Sequence, residues 1–575
     1  MHTLMSPRVW IASAAVVLVL LLWAVRALRR ARAIRAGTWV RIELHGRIAE
    51  TDTHVPLLQR WIRAVKPRVA SVRTLRRLAQ FVARDRRVDG VLLEIHDLGV
   101  GFATATSLRT VITELRAASK RVIVWLPRGG MTRELYVAMA AEKIYTTPQA
   151  GIAPLGIASA QTFYRTLLAR GGIEAEALSR REYKSAIEPF TRDGASPESR
   201  EQTEAILDGL HGAVVQSVAD ARGWDATKVR AMIDAAPFRP VDAVKSGLID
   251  GLAYEDELAL RVGISAEKFV RAPKYAAVAR PWAIRRGLGR GRRSRRGVVG
   301  VVEVRGAIVA ESPYRGARAA DAVRVIAALR AARENRHIGA VVLFVDSPGG
   351  SALASDLIAR EVERLREKKP VVAFMSDVAA SGGYYVSALA NEIVAQPTTI
   401  TGSIGVFALR FVVERALEKL GITHEVVRRG ARADVLSPYR KWTDDERAAL
   451  DREIDGFYRD FVAIVARGRK RTVEEIEPLA RGRVYTGEAA QAVGLVDTLG
   501  GLDVAIARAA TLANLDVSAE PVAVWPPREM PEPPEPIAHL QPVAERLGIH
   551  GAALTLALTN SRERFYAFDP TWLED

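Results

Sequence analysis

The sequence predicts an α/β protein made of two tandem βαβ repeat domains behind one amino-terminal transmembrane helix. Three observations carry that expectation. One uncharged apolar run lies at the start of the chain; short strands that are apolar on both faces alternate with stretches of helical period; and the second half of the chain repeats the first at a nearly constant spacing.

The apolar run is Val9 to Val25 (VWIASAAVVLVLLLWAV), about 26 Å long as a helix and so at the short end of what spans a bilayer. It is followed by Arg26, Arg29, Arg30, Arg32 and Arg35 rather than by a small-residue cleavage site, which favours a retained anchor over a removed signal peptide. By the positive-inside rule those arginines argue for a cytoplasmic body.

The first repeat opens with RIELHGRI from Arg41 and continues with the strand VDGVLLEI (Val88 to Ile95), a helical stretch, and the strand RVIVW from Arg121. Tyr136 to Pro148 (YVAMAAEKIYTTP) then leads to Leu155, Gly156 and Ile157. The second repeat answers with VVEVRGAI from Val301, IGAVVLFV (Ile338 to Val345), VVAFM from Val371, YVSALANEIVAQP (Tyr385 to Pro397), and Ile404, Gly405 and Val406. Runs such as VVLFV have no polar face, as strands of a parallel sheet covered on both sides require. The expected division is an anchor and basic flank over 1–36, a first repeat over 37–280, a basic Gly/Arg linker over 281–297, a second repeat over 298–515, and a Pro-rich segment and tail over 516–575.

Composition fits this plan. With 575 residues, 49% hydrophobic and 26% charged, the chain can bury several cores. It has no cysteine, which excludes disulfides, thiolate metal sites and a cysteine nucleophile. The formal charge of +17 is concentrated in the arginines after the anchor and in the run from Arg285 to Arg296. Neither cluster interleaves aromatics for base stacking, so lipid headgroups and a solvated linker are expected, and no nucleic acid.

Chemistry is sought where the repeats differ, at the carboxyl ends of matched strands. After VVLFV the second repeat has Asp346, Ser347, Pro348, Gly349, Gly350 and Ser351, a loop whose glycines let backbone N–H groups approach an anion or simply make a tight turn. After VVAFM it has Ala380, Ser381, Gly382 and Gly383, where the first repeat has Thr132 at the position of Ser381. Ser381 at a helix start is either an accessible nucleophile beside the Gly382 N–H or an N-cap. The nine histidines form no catalytic pattern, so a base must be sought elsewhere. Lysine is scarce, and Lys184 sits in REYKSAIEPF among apolar neighbours suited to a desolvated amine; the alternative is a solvent-facing partner of Glu182 or Glu188. Ser403, in TGSIG, is placed either to hold that lysine or to form a turn.

The ordered motifs VDSPGGS, AASGGY and TGSIGV, the segment GRVYTGEAAQAVGLVD from Gly482, and YKSAIEPF in the preceding half resemble signal peptide peptidase A in its long, duplicated form. The resemblance covers about residues 37–515 plus the anchor. It implies a ClpP/crotonase-like fold and a membrane-anchored serine endopeptidase with a Ser/Lys dyad, cutting remnant signal peptides and other hydrophobic peptides. Subunits are expected to assemble as a homo-oligomer, a homotetramer by family, with no metal and no cofactor. Carried over by motif, Ser381 is the nucleophile, Lys184 the general base, Gly350 and Gly382 the oxyanion-hole donors and Ser403 the lysine-orienting residue. The resemblance also implies a bacterial inner-membrane protein with a periplasmic body, against the arginine count. Two other functions fit parts of the pattern: an acyl-CoA-binding crotonase-like enzyme, and a non-catalytic membrane scaffold.

Overall fold

The structure is a computed structural model that describes residues 34–52, 71–285, 297–311, 319–516, 521–524 and 566–568. The apolar run Val9–Val25, most of the arginines behind it, linker residues 286–296 and the Pro-rich stretch 526–536 lie outside the described residues. Among the described residues no helix is long and apolar enough to cross a membrane.

Two compact units form, and they do not follow the sequence repeats. Of the described residues, one unit contains those up to Gly156 together with 214–285; the other contains 157–213 together with those from 297 onward. Residues 157–213, which the repeat spacing assigns to 37–280, therefore pack with the second repeat.

In the first unit a six-stranded parallel sheet runs in the order Gly251–Leu252, Lys143–Thr146, Arg121–Leu126, Val88–Leu98, Thr38–Gly46, Phe269–Arg271. The helix Val72–Arg84 covers it with Val72, Leu75, Leu78, Ala79 and Val82, an i, i+3, i+4 stripe, and starts at Ser71, whose hydroxyl accepts from the Thr74 N–H at 3.0 Å. Such a cap contributes about 1 kcal/mol.

The second unit holds two sheets. The larger is ordered Val484–Thr486, Ile400–Gly402, Val371–Ala380, Ile338–Ser347, Val298–Arg305, Val522–Ala523; Glu392–Ala395 and Thr498–Leu499 extend it beside Val371–Ala380, and only Val484–Thr486 is antiparallel. Alternation along its central strands explains their uninterrupted apolar sequence. Val342, Phe344, Val372 and Phe374 pack under the helix Leu502–Leu512, while Val341, Leu343, Val345, Ala373 and Met375 belong to the core on the opposite face. The Phe344 and Phe374 rings meet at 5.7 Å.

The smaller sheet is ordered Ala319–Asp321, Ala307–Val309, Gly349–Ser351, Tyr566–Phe568, Phe407–Val412, Glu174–Ser179. Its last pair explains why 157–213 leaves the first repeat: Glu174–Ser179 runs antiparallel to Phe407–Val412 over six residue pairs. The Glu176 carboxylate also accepts from the Trp442 N–H at 3.1 Å and pairs with Arg410.

Candidate active site

All five residues singled out from sequence lie in the second unit. The lysine comes on a short loop pinned at its backbone. The Arg180 N–H donates to the Val406 carbonyl at 3.0 Å and the Tyr183 N–H to the Arg481 carbonyl at 3.1 Å. Gln202, from the helix Pro197–Arg222, donates to the Tyr183 carbonyl at 3.2 Å and to Ser185 Oγ at 2.9 Å, and accepts from the Val484 N–H at 3.3 Å. The side chain that leaves this loop is only 2% exposed. Lys184 Nζ lies 2.9 Å from Ser381 Oγ, 2.9 Å from Ser403 Oγ and 3.1 Å from the Ser403 carbonyl oxygen. The two carboxylates near it in sequence are engaged elsewhere: Glu182 accepts from Arg481 at 3.1 Å and Glu188 from the Ser196 N–H at 3.0 Å.

Ser381 sits at the start of the helix Gly382–Ala388, in the N-cap position, but its side chain makes no capping bond. Its backbone is held at φ 53° and ψ −115°, a region a serine enters only when its surroundings impose it, at a cost of about 1–3 kcal/mol. Two bonds impose it: the Ser381 N–H donates to the Gly402 carbonyl and the Ser381 carbonyl accepts from the Tyr385 N–H, both at 2.8 Å. The result turns Oγ away from the helix end and toward the amine. Ser403 has φ 51°, and its N–H donates to the Arg483 carbonyl at 2.7 Å. Both serines are fully buried.

The Gly349–Gly350 segment, read from sequence as a loop, is a short strand, because the facing Ala307–Val309 strand pairs with it at Ile308 and Gly350. Gly350 has φ +153°, and a β-carbon there would lie 2.0 Å from the Ile308 carbonyl oxygen. A β-carbon on Gly382 would lie 3.3 Å from the Gly350 nitrogen and 2.5 Å from Ser355 Oγ, so the two glycine backbones run side by side next to Ser381.

Several supporting residues escaped the sequence reading. Gly405 and Gly482 wall the lysine: their added β-carbons would meet Lys184 Cδ at 3.2 Å and Lys184 N at 2.6 Å. Both lie in motifs quoted above, but nothing in those motifs says what they touch. Gly482→Ala, at φ +81°, should displace the lysine and lower turnover by about 10²-fold, because a shift of order 1 Å in a reacting group costs that much; kcat against folded-protein concentration reads it. On the outer side of the loop, Arg483 bonds Glu201 at 2.7 Å and stacks over the Tyr183 ring at 4.0 Å.

Asp346, at the end of the central strand, is pushed up to about 6 by burial and then by the neighbouring Asp377 carboxylate, although it accepts from the Val378 N–H at 3.3 Å. Its folded value exceeds the ordinary 3.8, so its contribution favours the fold below about pH 4 and is lost as pH rises through about 6. Asp346→Asn keeps the acceptor and removes the charge. The variant should be more stable than the parent by about 3 kcal/mol at pH 7.5 and by little at pH 4, read from denaturant midpoints at the two pH values.

In the first unit, Thr132 stands at the position aligned with Ser381 and its hydroxyl donates to the Gly156 carbonyl at 3.0 Å, a structural bond within that unit.

The sequence profile of peptidase family S49 matches residues 114–267 and 363–516. "Serine protease SPPA, chloroplastic" of Arabidopsis thaliana is 32% identical over 501 residues, covering 84% of this chain and 70% of its own. "Protease 4" of Salmonella typhi is 33% identical over 446 residues, 75% of this chain and 70% of its own, and "Protease 4" of Haemophilus influenzae 27% over 458 residues, 75% and 71%. A solved ClpP1 point mutant from Listeria monocytogenes aligns with 36% of this chain and 94% of its own at 14% identity and a TM-score of 0.24.

Proposed function

Because the chain belongs to peptidase family S49 and is a serine peptidase, we propose that it cuts peptide bonds through a dyad in which Ser381 is the nucleophile and Lys184 the general base. The observation that carries this reading is the 2.9 Å approach of Lys184 Nζ to Ser381 Oγ in a fully buried setting. A base within that reach of the hydroxyl it deprotonates satisfies the geometric requirement.

The contacts of the amine suit its neutral form. A carbonyl oxygen only accepts, so one amine N–H goes to the Ser403 carbonyl and a second to Ser403 Oγ, leaving the lone pair for the Ser381 hydroxyl proton. Burial penalises the charged state of an amine, which works in the same direction. Ser403 is then a positioning residue: it fixes the amine and does not touch substrate.

On this reading the Ser381 hydroxyl donates its proton to Lys184 as its oxygen attacks the peptide carbonyl. The developing oxyanion takes hydrogen bonds from the Gly350 and Gly382 N–H groups, and Lys184 returns the proton to the leaving amine. Water, deprotonated by the same amine, then hydrolyses the acyl-enzyme. The membrane anchor over 9–25, a periplasmic body, a ClpP/crotonase-like assembly of several subunits and remnant signal peptides as substrates belong to the same proposal, supported by the motifs and the anchor sequence.

The test is covalent labelling. A fluorophosphonate probe should attach to the peptide containing Ser381 in the folded protein and to no other serine, with labelling lost in Lys184→Met. Labelling elsewhere, or labelling that persists at the parental rate in Lys184→Met, overturns the dyad.

A further inference from the structure

The loop that delivers the lysine is clasped from behind by one buried amide. Gln202, on the helix Pro197–Arg222, is 4% exposed and uses both of its amide hydrogens. A carbonyl only accepts and a backbone N–H only donates, so the orientation of the amide is fixed by its partners. Nε2 gives one N–H to the Tyr183 carbonyl at 3.2 Å and the other to Ser185 Oγ at 2.9 Å, while Oε1 takes the Val484 N–H at 3.3 Å. The two donated bonds hold the residues on either side of Lys184, and the accepted one reaches a different strand.

That strand places the serines. Val484 stands opposite Gly402, whose carbonyl takes the Ser381 N–H at 2.8 Å. One residue earlier, the Arg483 carbonyl takes the Ser403 N–H at 2.7 Å. A single side chain therefore ties the backbone around the amine to the backbone that sets both hydroxyls. The tie matters because a lysine carries its amine on a flexible four-carbon stem, so its aim depends on where the stem begins.

We propose that Gln202 is a positioning residue for the dyad: it sets the reach of Lys184 Nζ to Ser381 Oγ, and it acts only through the backbone on either side of the lysine. This rests on the dyad reading above. Without the clasp the loop drifts relative to Ser381, and a displacement of order 1 Å in a reacting group costs about 10²-fold in rate.

The experiment uses the full chain with Gln202→Met, which keeps the volume and removes all three bonds, and Ser185→Ala, which removes one of them. A fluorogenic peptide gives kcat and KM; a fluorophosphonate gives the rate constant for labelling Ser381 and, from the amplitude, the concentration of competent sites. Gln202→Met should lower kcat and the labelling rate constant by about 10²-fold, with KM within about twofold of the parent and the amplitude equal to the folded protein. Ser185→Ala should lower both rates by about three- to tenfold. In a Lys184→Met background Gln202→Met should add no further loss, because there is no amine left to place. A residue that merely supports the fold would reduce the amplitude and leave the rate constant per labelled site parental, and that result overturns the proposal. So does a further tenfold loss in the Lys184→Met background, which would show Gln202 acting on something other than the amine. If Gln202→Met yields no folded protein, Ser185→Ala decides by the same two readings of its own rate constant. Slow labelling in Lys184→Met beside a parental rate in Gln202→Met removes the clasp and keeps the dyad, whereas parental labelling in Lys184→Met removes both.

Discussion

Ser381→Ala is expected to lower kcat for peptide hydrolysis by about 10⁴-fold or more while leaving the melting temperature within a few degrees of the parent. On the proposed dyad the loss follows from removing the attacking atom: Oγ stands 2.9 Å from the lysine nitrogen and is aimed there by a backbone locked at φ 53°. The small stability effect follows from what the hydroxyl does not do. It caps no helix, and the two backbone bonds that fix Ser381 survive the substitution. Lys184→Arg should be as inactive, since a guanidinium keeps its proton. Because the pair acts as a unit, the double variant should be no worse than either single one, and a double variant that loses the product of both factors would show that the two residues act separately. Turnover above a hundredth of the parental rate in Ser381→Ala would end the assignment.

Gly350→Ala should lower activity and stability together. The added carbon would lie 2.0 Å from the Ile308 carbonyl oxygen and 2.7 Å from the Ile308 nitrogen, both backbone atoms of a paired strand that cannot swing aside as a side chain would. The φ of +153° adds a conformation that alanine resists. Relief requires Gly349–Ser351 to leave Ala307–Val309, which takes the proposed oxyanion donor out of place. We expect about 10²–10³-fold lower kcat, the usual cost of a missing donor, with about 2–3 kcal/mol of stability. The check is kcat and the denaturant midpoint measured together: near-parental kcat would show that this N–H does not hold the oxyanion.

Legibility from sequence divided along a physical line. The strands VVLFV and VVAFM were readable because a strand covered on both faces must be apolar throughout, and burial on one sheet face or the other is written residue by residue. Ser381, Lys184, Ser403, Gly350 and Gly382 stood out as departures of one repeat from the other. What escaped was whatever depends on a distant partner. EAEALS carries no strand pattern of its own, and Glu174–Ser179 is a strand because Phe407–Val412 offers it an edge. Gln202 sits in an ordinary polar helical stretch, yet it bonds a backbone group 282 positions away. GGS has poor strand propensity and becomes one by pairing with Ala307–Val309. The tail looked like an appendage because three residues of sheet cannot be recognised without the two strands that flank them.

The packing of 157–213 with the chain beyond 293 bears on how such a gene can be recombined. A crossover placed at the Gly/Arg stretch, where the tandem halves meet, would inherit the amine from one parent and the alcohol from the other. The loop around Lys184 would then have to match a foreign Gly405, Gly482 and Val484. Chimeras spliced at 156/157, 213/214 and 292/293 instead exchange the scaffold and carry Lys184 and Ser381, with their walls, from a single ancestor.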